Sequence, residues 1–373
     1  MSKNTAPIHK WISARLSNQM EHSLQRWSRT NGVCYIAVMP DAHLAKNVCI
    51  GTVIATKNIV YPVAVGGDIG CGILAVGFND SADRFRDEQV ASRLLDELYK
   101  AVPQNRHPSR TNCPMLTSDL QNDRLSDSRL EKVKDRDGRV QLGTLGRGNH
   151  FLELQYDLDD RLWLMIHSGS RGIGQAIAKH HGADTRRGLH GDSDQAQSYL
   201  QDVRWARKYA TENRLAMMHT VADIMFRNWG ITADYETIVH TDHNHVQVEK
   251  HDNQNLFVHR KGAQRLAIGE LGLVPGSMGT YSMIVAGKGS KLAMMSCAHG
   301  AGRKMSRQEA RRKVNTTRFE DSMSHVWFDK RISAQLVDEA PEAYKDLKAV
   351  MRDQRDLVKP VRKLRPLLSF KGH

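Results

Sequence analysis

The sequence predicts an α+β fold, and three observations carry that prediction. Short, β-rich apolar runs punctuated by glycine recur from Cys34 onward, as strands require. The stretch from Ser193 to Trp229 instead repeats its apolar residues at helical spacing. No Pro/Ser/Gly linker divides the 373 residues cleanly, so the chain reads as one domain, 1–373, with a helical insertion at about 174–232.

The elements follow in order. The first thirty residues form a polar amphipathic lead-in, with Trp11, Leu16, Met20, Leu24 and Trp27 at roughly helical spacing. Strands follow at Cys34-Tyr-Ile-Ala-Val-Met39, Val53-Ile-Ala55, Ile59-Val-Tyr61 and Ile73-Leu-Ala-Val76. Residues 80–100 read as helix. Residues 102–138 are polar, contain Pro103, Pro108 and Pro114, and read as loop. A second strand region spans Gln141 to Ile166. In the helical stretch after Ser193, Tyr199, Val203, Ala206, Ala210, Met218, Ala222 and Met225 share a face. Strand-like texture returns from Ile238 to Val285. The tail mixes helix, around 306–314 and 333–353, with a short closing strand at Leu367-Leu-Ser-Phe370.

Composition narrows the function classes. Hydrophobic residues at 40% and charged residues at 25% describe a folded chain rather than a disordered one. No stretch approaches the ~20 apolar residues that cross a bilayer, and Met1 to Ser13 lacks a signal-peptide core. Five cysteines, Cys34, Cys49, Cys71, Cys113 and Cys297, suit reduced thiols in a cytoplasm better than a disulfide framework. The net charge is +13, and from Ala301 onward 18 Lys/Arg face 10 Asp/Glu. Such an excess favours a polyanionic partner, nucleic acid before membrane.

Phosphate-binding motifs of the common kinds are missing: no G-x-x-x-x-G-K-[ST] and no G-x-G-x-x-G after a strand. The nearest string to Lys-x-Asp-Gly, Lys134-Asp-Arg-Asp-Gly138, has the wrong spacing. Glycines instead surround His, Asp and Cys. Val65-Gly-Gly-Asp-Ile-Gly-Cys-Gly-Ile73 sets Asp68 three residues before Cys71, where one metal could bind or the thiolate could bridge two. Asn149, His150 and Glu153 follow a Gly-rich turn, and His167 ends a strand before Ser168, Ser170 and Arg171. His240-Thr-Asp-His-Asn-His245 packs three histidines and an aspartate into six residues. Any one of these histidines alone reads as structural. Together, at strand ends, they suit Mn, Fe, Co or Zn rather than Mg or Ca, without naming the metal. Backbone amides and hydroxyls in Val274-Pro-Gly-Ser-Met-Gly-Thr-Tyr-Ser282 can hold a phosphate or a base edge. His299, among small residues and near Arg303 and Arg307, suits attack on phosphorus, with guanidinium groups stabilising the developing charge.

In this order the clusters resemble the RtcB family of GTP-dependent RNA ligases, from about Met39 to Gly372. The resemblance rests on Pro40-Asp-Ala-His43, Asp68-Ile-Gly-Cys-Gly72, Leu142-Gly-Thr-Leu-Gly146 and Gly148-Asn-His-Phe151. It continues through His167-Ser-Gly-Ser-Arg171, Trp205-Ala-Arg-Lys-Tyr-Ala-Thr-Glu-Asn-Arg214, His243-Asn244 and His259-Arg-Lys-Gly-Ala263. Pro275-Gly-Ser-Met-Gly-Thr280, His299-Gly-Ala-Gly-Arg303 and Lys371-Gly372 complete the set. The chain resembles a compact, divergent member. It carries Ala45, Asn47 and Arg147 where the family usually shows glycine, and ends in an extra His373.

The resemblance implies mixed and antiparallel sheets flanked by helices. It also implies an enzyme that uses GTP and two Mn²⁺ to join an RNA 3′-phosphate or 2′,3′-cyclic phosphate to a 5′-hydroxyl, in repair or splicing of tRNA or rRNA fragments. Carried over by motif, the resemblance implies that Cys71 would bridge the two ions, with Asp68 and His150 on one and His167 and His243 on the other, and that His299 would take GMP. Asn149, Phe151, Glu153, His243, Asn244, Pro275, Gly276, Ser277, Met278 and Ser282 match nucleotide contacts, as do His299, Gly300, Ala301, Gly302, Arg303 and Lys371. The residues also allow a metal-dependent phosphoesterase or nuclease acting on RNA without a guanylylated intermediate. A non-catalytic RNA-binding protein would explain the charge but leave Asp68, Cys71 and His299 without a purpose.

Overall fold

The computed structural model describes residues 5–111, 113–183 and 186–372; the closing His373 lies outside the described residues. The core is a seven-stranded sheet whose paired strands are all antiparallel. Its order is Leu271–Val274, Ser282–Gly287, Val358–Lys371, Phe151–Tyr156, Arg161–Ser168, Gly72–Ser81 and Ala233–Asp242. The central strands are apolar on both faces because both faces are covered. Leu74, Val76, Leu152, Leu164 and Ile166 pack with Leu94 and Leu98 of the helix Glu88–Ala101 and with Met217, Val221 and Met225 of the helix Asp194–Trp229. One residue along, Ile73, Ala75, Met165 and Val239 point the other way and pack with Leu273, Ile284 and Leu364.

A five-stranded sheet runs Ile8–Lys10, Val33–His43, Ile50–Thr56, Gln254–Lys261 and Asn244–His251, with one parallel pair at its edge. Its apolar residues Ala37, Met39, Val53, Ala55 and Val258 share a core with Val274, Val285 and Val358 of the larger sheet. The fold is therefore α+β with mixed and antiparallel sheets, as the sequence predicts.

The long helix spans 36 residues, Asp194–Trp229. Ser193 caps it by accepting from Ala196 N, and Gly230 ends it at φ 71° in the left-handed region. All seven residues assigned to its apolar face are buried. The amphipathic lead-in is helical only over Asn18–Ser28, after the cap Ser17, so Trp11 and Leu16 lie outside the helix.

Three further stretches differ from expectation. The segment read as loop at 102–138 contains the short helices Ser118–Asn122 and Ser128–Val133 and a wider turn, Lys134–Gly138. Its buried Leu120, Leu125 and Leu130 fall five apart, so no helical period shows. The closing strand covers Val358–Lys371, far longer than the apolar tetrapeptide. Its first half is polar and pairs with Ser282–Gly287, and Pro360 and Pro366 sit at or beside register shifts, where a missing N–H costs no ladder bond. The helix expected over 333–353 breaks into Ser333–Leu336, two tight turns and Leu347–Asp353. Pro341 disfavours helical backbone at the residue before it, and the break turns Asp338 and Glu339 inward, where both are buried.

Candidate metal centre and adjoining cavity

Strand register assembles the centre. Gly72 pairs with Ser168 on one side and Asp242 on the other, while Phe151 pairs with His167 and Lys371. Cys71, His150, His167, His243 and Lys371 therefore meet at one end of the seven-stranded sheet. Gly72 is needed there, since a Cβ would stand 2.2 Å from Thr241 O. Gly169 admits the Asp68 carboxylate, whose Oδ1 would lie 2.2 Å from a Cβ. The long helix braces these loops. Arg214 donates to Gly70 O (3.0 Å) and Ser168 O (2.6 Å), and Asn213 Nδ2 donates to Thr144 O (3.1 Å).

Cys71 Sγ lies 3.3 Å from His167 Nε2 and 3.5 Å from His150 Nε2. His167 Nε2 is 3.1 Å from His243 Nε2, and His150 Nε2 is 3.1 Å from Asp68 Oδ2. Two metal-capable groups result, Cys71/His167/His243 and Asp68/Cys71/His150, and Cys71 belongs to both. The other ring nitrogens all face oxygen. His150 Nδ1 meets Leu145 O at 3.0 Å, His167 Nδ1 meets Asn149 O at 3.2 Å, and His243 Nδ1 is 3.4 Å from Asn244 Oδ1. Protons on Nδ1 leave the Nε2 lone pairs of His167 and His243 facing one another. A cation between such donors removes that repulsion, so the residues fit divalent metal.

The electrostatics agree. Burial, then the neighbouring Asp68, pushes the Cys71 thiol well above its usual range. Burial, followed by adjacent imidazoles, holds His167 and His243 well below theirs. Burial opposes ionisation of Asp68, but the hydrogen bond and charge of His150 outweigh it and hold Asp68 at about 2. Neutral imidazoles, as at His167 and His243, and an ionised carboxylate, as at Asp68, are ligand forms metals take, and a bound dication would ionise the thiol.

A cavity of about 300 Å³ adjoins the centre. The His299 ring stands 4.6 Å, centroid to centroid, from that of His243. Nδ1 of His299 is 2.6 Å from Oδ2 of the wholly buried Asp41, bent out of line for a hydrogen bond, and the His299 backbone N–H donates to the same oxygen at 3.1 Å. The cavity wall carries Asn149, Phe151, Glu153 and Lys371, then Pro275 through Met278, then His299 through Arg303. Ser282 stands behind the wall, where its hydroxyl accepts from Gln155 Nε2 and Gly276 N, each at 3.2 Å. His243 and Asn244 are at the metal centre instead; Asn244 Nδ2 donates to Asp68 O and its Oδ1 accepts from Gly262 N.

Glu339 lines the cavity and gathers cations. It accepts from Lys371 (2.5 Å), Arg307 (2.5 Å), Arg303 (3.2 Å) and the Tyr344 hydroxyl (2.8 Å). Burial alone would raise it, but these cations hold it at about 2. Arg303 therefore faces Glu339 and Asp338 O rather than the His299 ring. Glu153 is the opposite case: burial raises it to about 7, against the pull of Gln155 and Lys371.

Asp41, Glu339 and Tyr344 escaped the sequence reading as site residues. Asp41 left a signal, a lone carboxylate inside the apolar strand Val33–His43. Glu339 left none, because it falls in the stretch expected as helix, between the carboxylates of Asp338 and Glu342.

The family model described as tRNA-splicing ligase RtcB matches residues 23–372. The chain belongs to the RtcB family. It is 36% identical over 374 residues to the RNA-splicing ligase RtcB of Escherichia coli K12, covering 91% of this chain and 90% of that one. It is 30% identical to the RNA-splicing ligase RtcB of Mycobacterium tuberculosis, covering 90% and 96%. It is also 30% identical to the tRNA-splicing ligase RtcB of Archaeoglobus fulgidus, covering 90% and 87%. The RtcB match spans every ligand of the metal centre and every wall of the cavity. Among the described residues, no helix is long and apolar enough to cross a membrane.

Proposed function

We propose that this protein is an RNA ligase that spends GTP to join RNA 3′-phosphate or 2′,3′-cyclic phosphate ends to 5′-hydroxyl ends. The whole chain is one catalytic unit, with 174–232 as its helical insertion, acting in the cytoplasm on broken or spliced tRNA or rRNA. One observation carries the reading: a histidine backed by a buried carboxylate, His299 on Asp41, stands at the junction of a nucleotide-sized cavity and a two-site metal centre.

With Nδ1 turned to Asp41, Nε2 of His299 is the nitrogen left to attack the α-phosphorus of GTP. The P–N bond forms as the α–β bridge breaks, and pyrophosphate leaves. A 3′-phosphate oxygen of the RNA then takes GMP from His299; a cyclic phosphate is first opened by water. The 5′-hydroxyl oxygen attacks the activated 3′-phosphorus, loses its proton, and GMP departs. Activation is needed because a phosphate monoester repels nucleophiles and lacks a good leaving group. Glu153 and Lys371 fit the edge of the guanine, and Asn149, Phe151 and the Pro275-to-Met278 loop enclose the nucleotide. Asp68, Cys71, His150, His167 and His243 would hold two Mn²⁺, which supply charge neutralisation at the reacting phosphate oxygens.

The test uses α-labelled GTP with Mn²⁺. Wild-type chain should gain a covalent label that His299→Ala abolishes. A wild type that never labels defeats the ligase reading in favour of a hydrolase.

A further inference from the structure

Arg147 has no task in the reaction above. It is exposed in a turn between Gly146 (φ 96°) and Gly148 (φ 82°). Among the described residues it makes no hydrogen bond or ion pair. It lines a second concavity, about 440 Å³, that shares Arg307 and Glu339 with the cavity at His299. Arg311 lines the same groove, 62% exposed and 3.5 Å from Asp338 Oδ2. The carboxylates of Asp338 and Glu339 are sunk in its floor, each less than 5% exposed and each held by Arg307. Glu339 is further neutralised by Arg303 and Lys371. What faces solvent is therefore positive charge from Arg147 and Arg311, set on a neutralised floor.

The groove joins the cavity through Arg307 and Glu339 and contains neither His299 nor a metal ligand. A phosphate held in it is not the α-phosphate that meets His299. A chain with one phosphate per nucleotide can run along the groove while its end reaches the cavity. We propose that the groove between Arg147 and Arg311 binds the phosphodiester backbone of the RNA strand being joined. This rests on the ligase reading, and it assigns Arg147 a role in holding RNA.

The test measures binding of a fluorescent single-stranded RNA with a 3′-phosphate to the full, Mn²⁺-loaded chain across a salt series. Arg147→Glu and Arg311→Glu should each weaken binding by about tenfold. Each should also flatten the log–log salt slope by ~0.7, the value for one lost phosphate contact on a single strand. Arg147→Lys should keep most of the slope. Unchanged affinity and slope in both reversals would overturn the proposal. So would a rise in the GTP concentration needed for labelling without loss of RNA binding, which would give the groove to the nucleotide's own phosphates. Wild-type labelling is scored separately: its failure sinks the ligase reading, whereas labelling with RNA binding indifferent to Arg147 and Arg311 sinks only the groove.

Discussion

His299 Nδ1 stands 2.6 Å from Asp41 Oδ2, joining residues 258 positions apart in the chain. The same carboxylate oxygen also accepts from the His299 backbone N–H, so Asp41 sets both the ring and the loop that carries it. Asp41→Asn keeps the shape and removes the charge. Guanylylation should slow by about 10² to 10⁴, the scale of losing a histidine's orienting carboxylate. Mn²⁺ stoichiometry should stay unchanged. Labelling at the wild-type rate would deny Asp41 this role.

Cys71 belongs to both metal-capable groups, whereas His150 and His243 each belong to one. On the proposed two-Mn²⁺ reading, Cys71→Ala should therefore drop bound Mn²⁺ from two per chain to less than one. His150→Ala should leave about one. Metal counted by mass spectrometry on the purified chain decides between them, and two ions retained in Cys71→Ala would argue against a shared thiolate.

The lone pairs of His167 and His243 face one another at 3.1 Å when no cation lies between them. Metal that binds the folded chain stabilises it by mass action, by about 2.7 kcal/mol at a hundredfold excess over Kd. Chelation should lower the thermal midpoint by several degrees, and Mn²⁺ should restore it. The same shift surviving in His243→Ala would place the stabilising ion elsewhere.

Burial holds Glu153 at about 7, whereas accepting two N–H groups from guanine requires its ionised form. Below pH 7 the carboxyl is protonated, so bound guanine must expel a proton and GTP affinity should fall as pH drops from 7 to 6. Glu153→Gln should abolish this pH dependence and raise the GTP requirement at pH 8 by at least tenfold. A flat profile in the wild type would remove Glu153 from base recognition.

Glu339 is held at about 2 by Lys371, Arg307 and Arg303 against the cost of burial. Its folded pKa is depressed, so its stabilisation is complete above the unfolded value near 4.3 and drains away as pH falls from there toward 2. Glu339→Gln should cost roughly 3–5 kcal/mol at neutral pH, because it strands buried cations. The variant should also show a shallower loss of stability between pH 4.5 and 3, read by denaturant midpoints.

The strand-end histidines, Asp68, Cys71 and His299 were legible in the sequence because glycine-rich turns beside chemically active side chains are rare enough to stand out. Strands around Ile73 and Leu164 were legible as continuous apolar runs, because both their faces are buried, and the helix over 194–229 was legible because a buried face imposes a helical period on neighbouring residues. The closing strand was only half visible, since the Val358 to Arg365 half is polar and takes its structure from pairing with Ser282–Gly287. Nothing local announced that Gly72 would pair with both Ser168 and Asp242, or that Asp41 would reach His299. Nor could composition show that Ser282 would turn behind the cavity wall while Glu339 turned into it. Sequence by itself determined which groups can do chemistry, because that depends on side-chain type and near neighbours. Tertiary structure alone decided which of them share a site, because strand register and burial bring together residues that the chain separates by hundreds of positions.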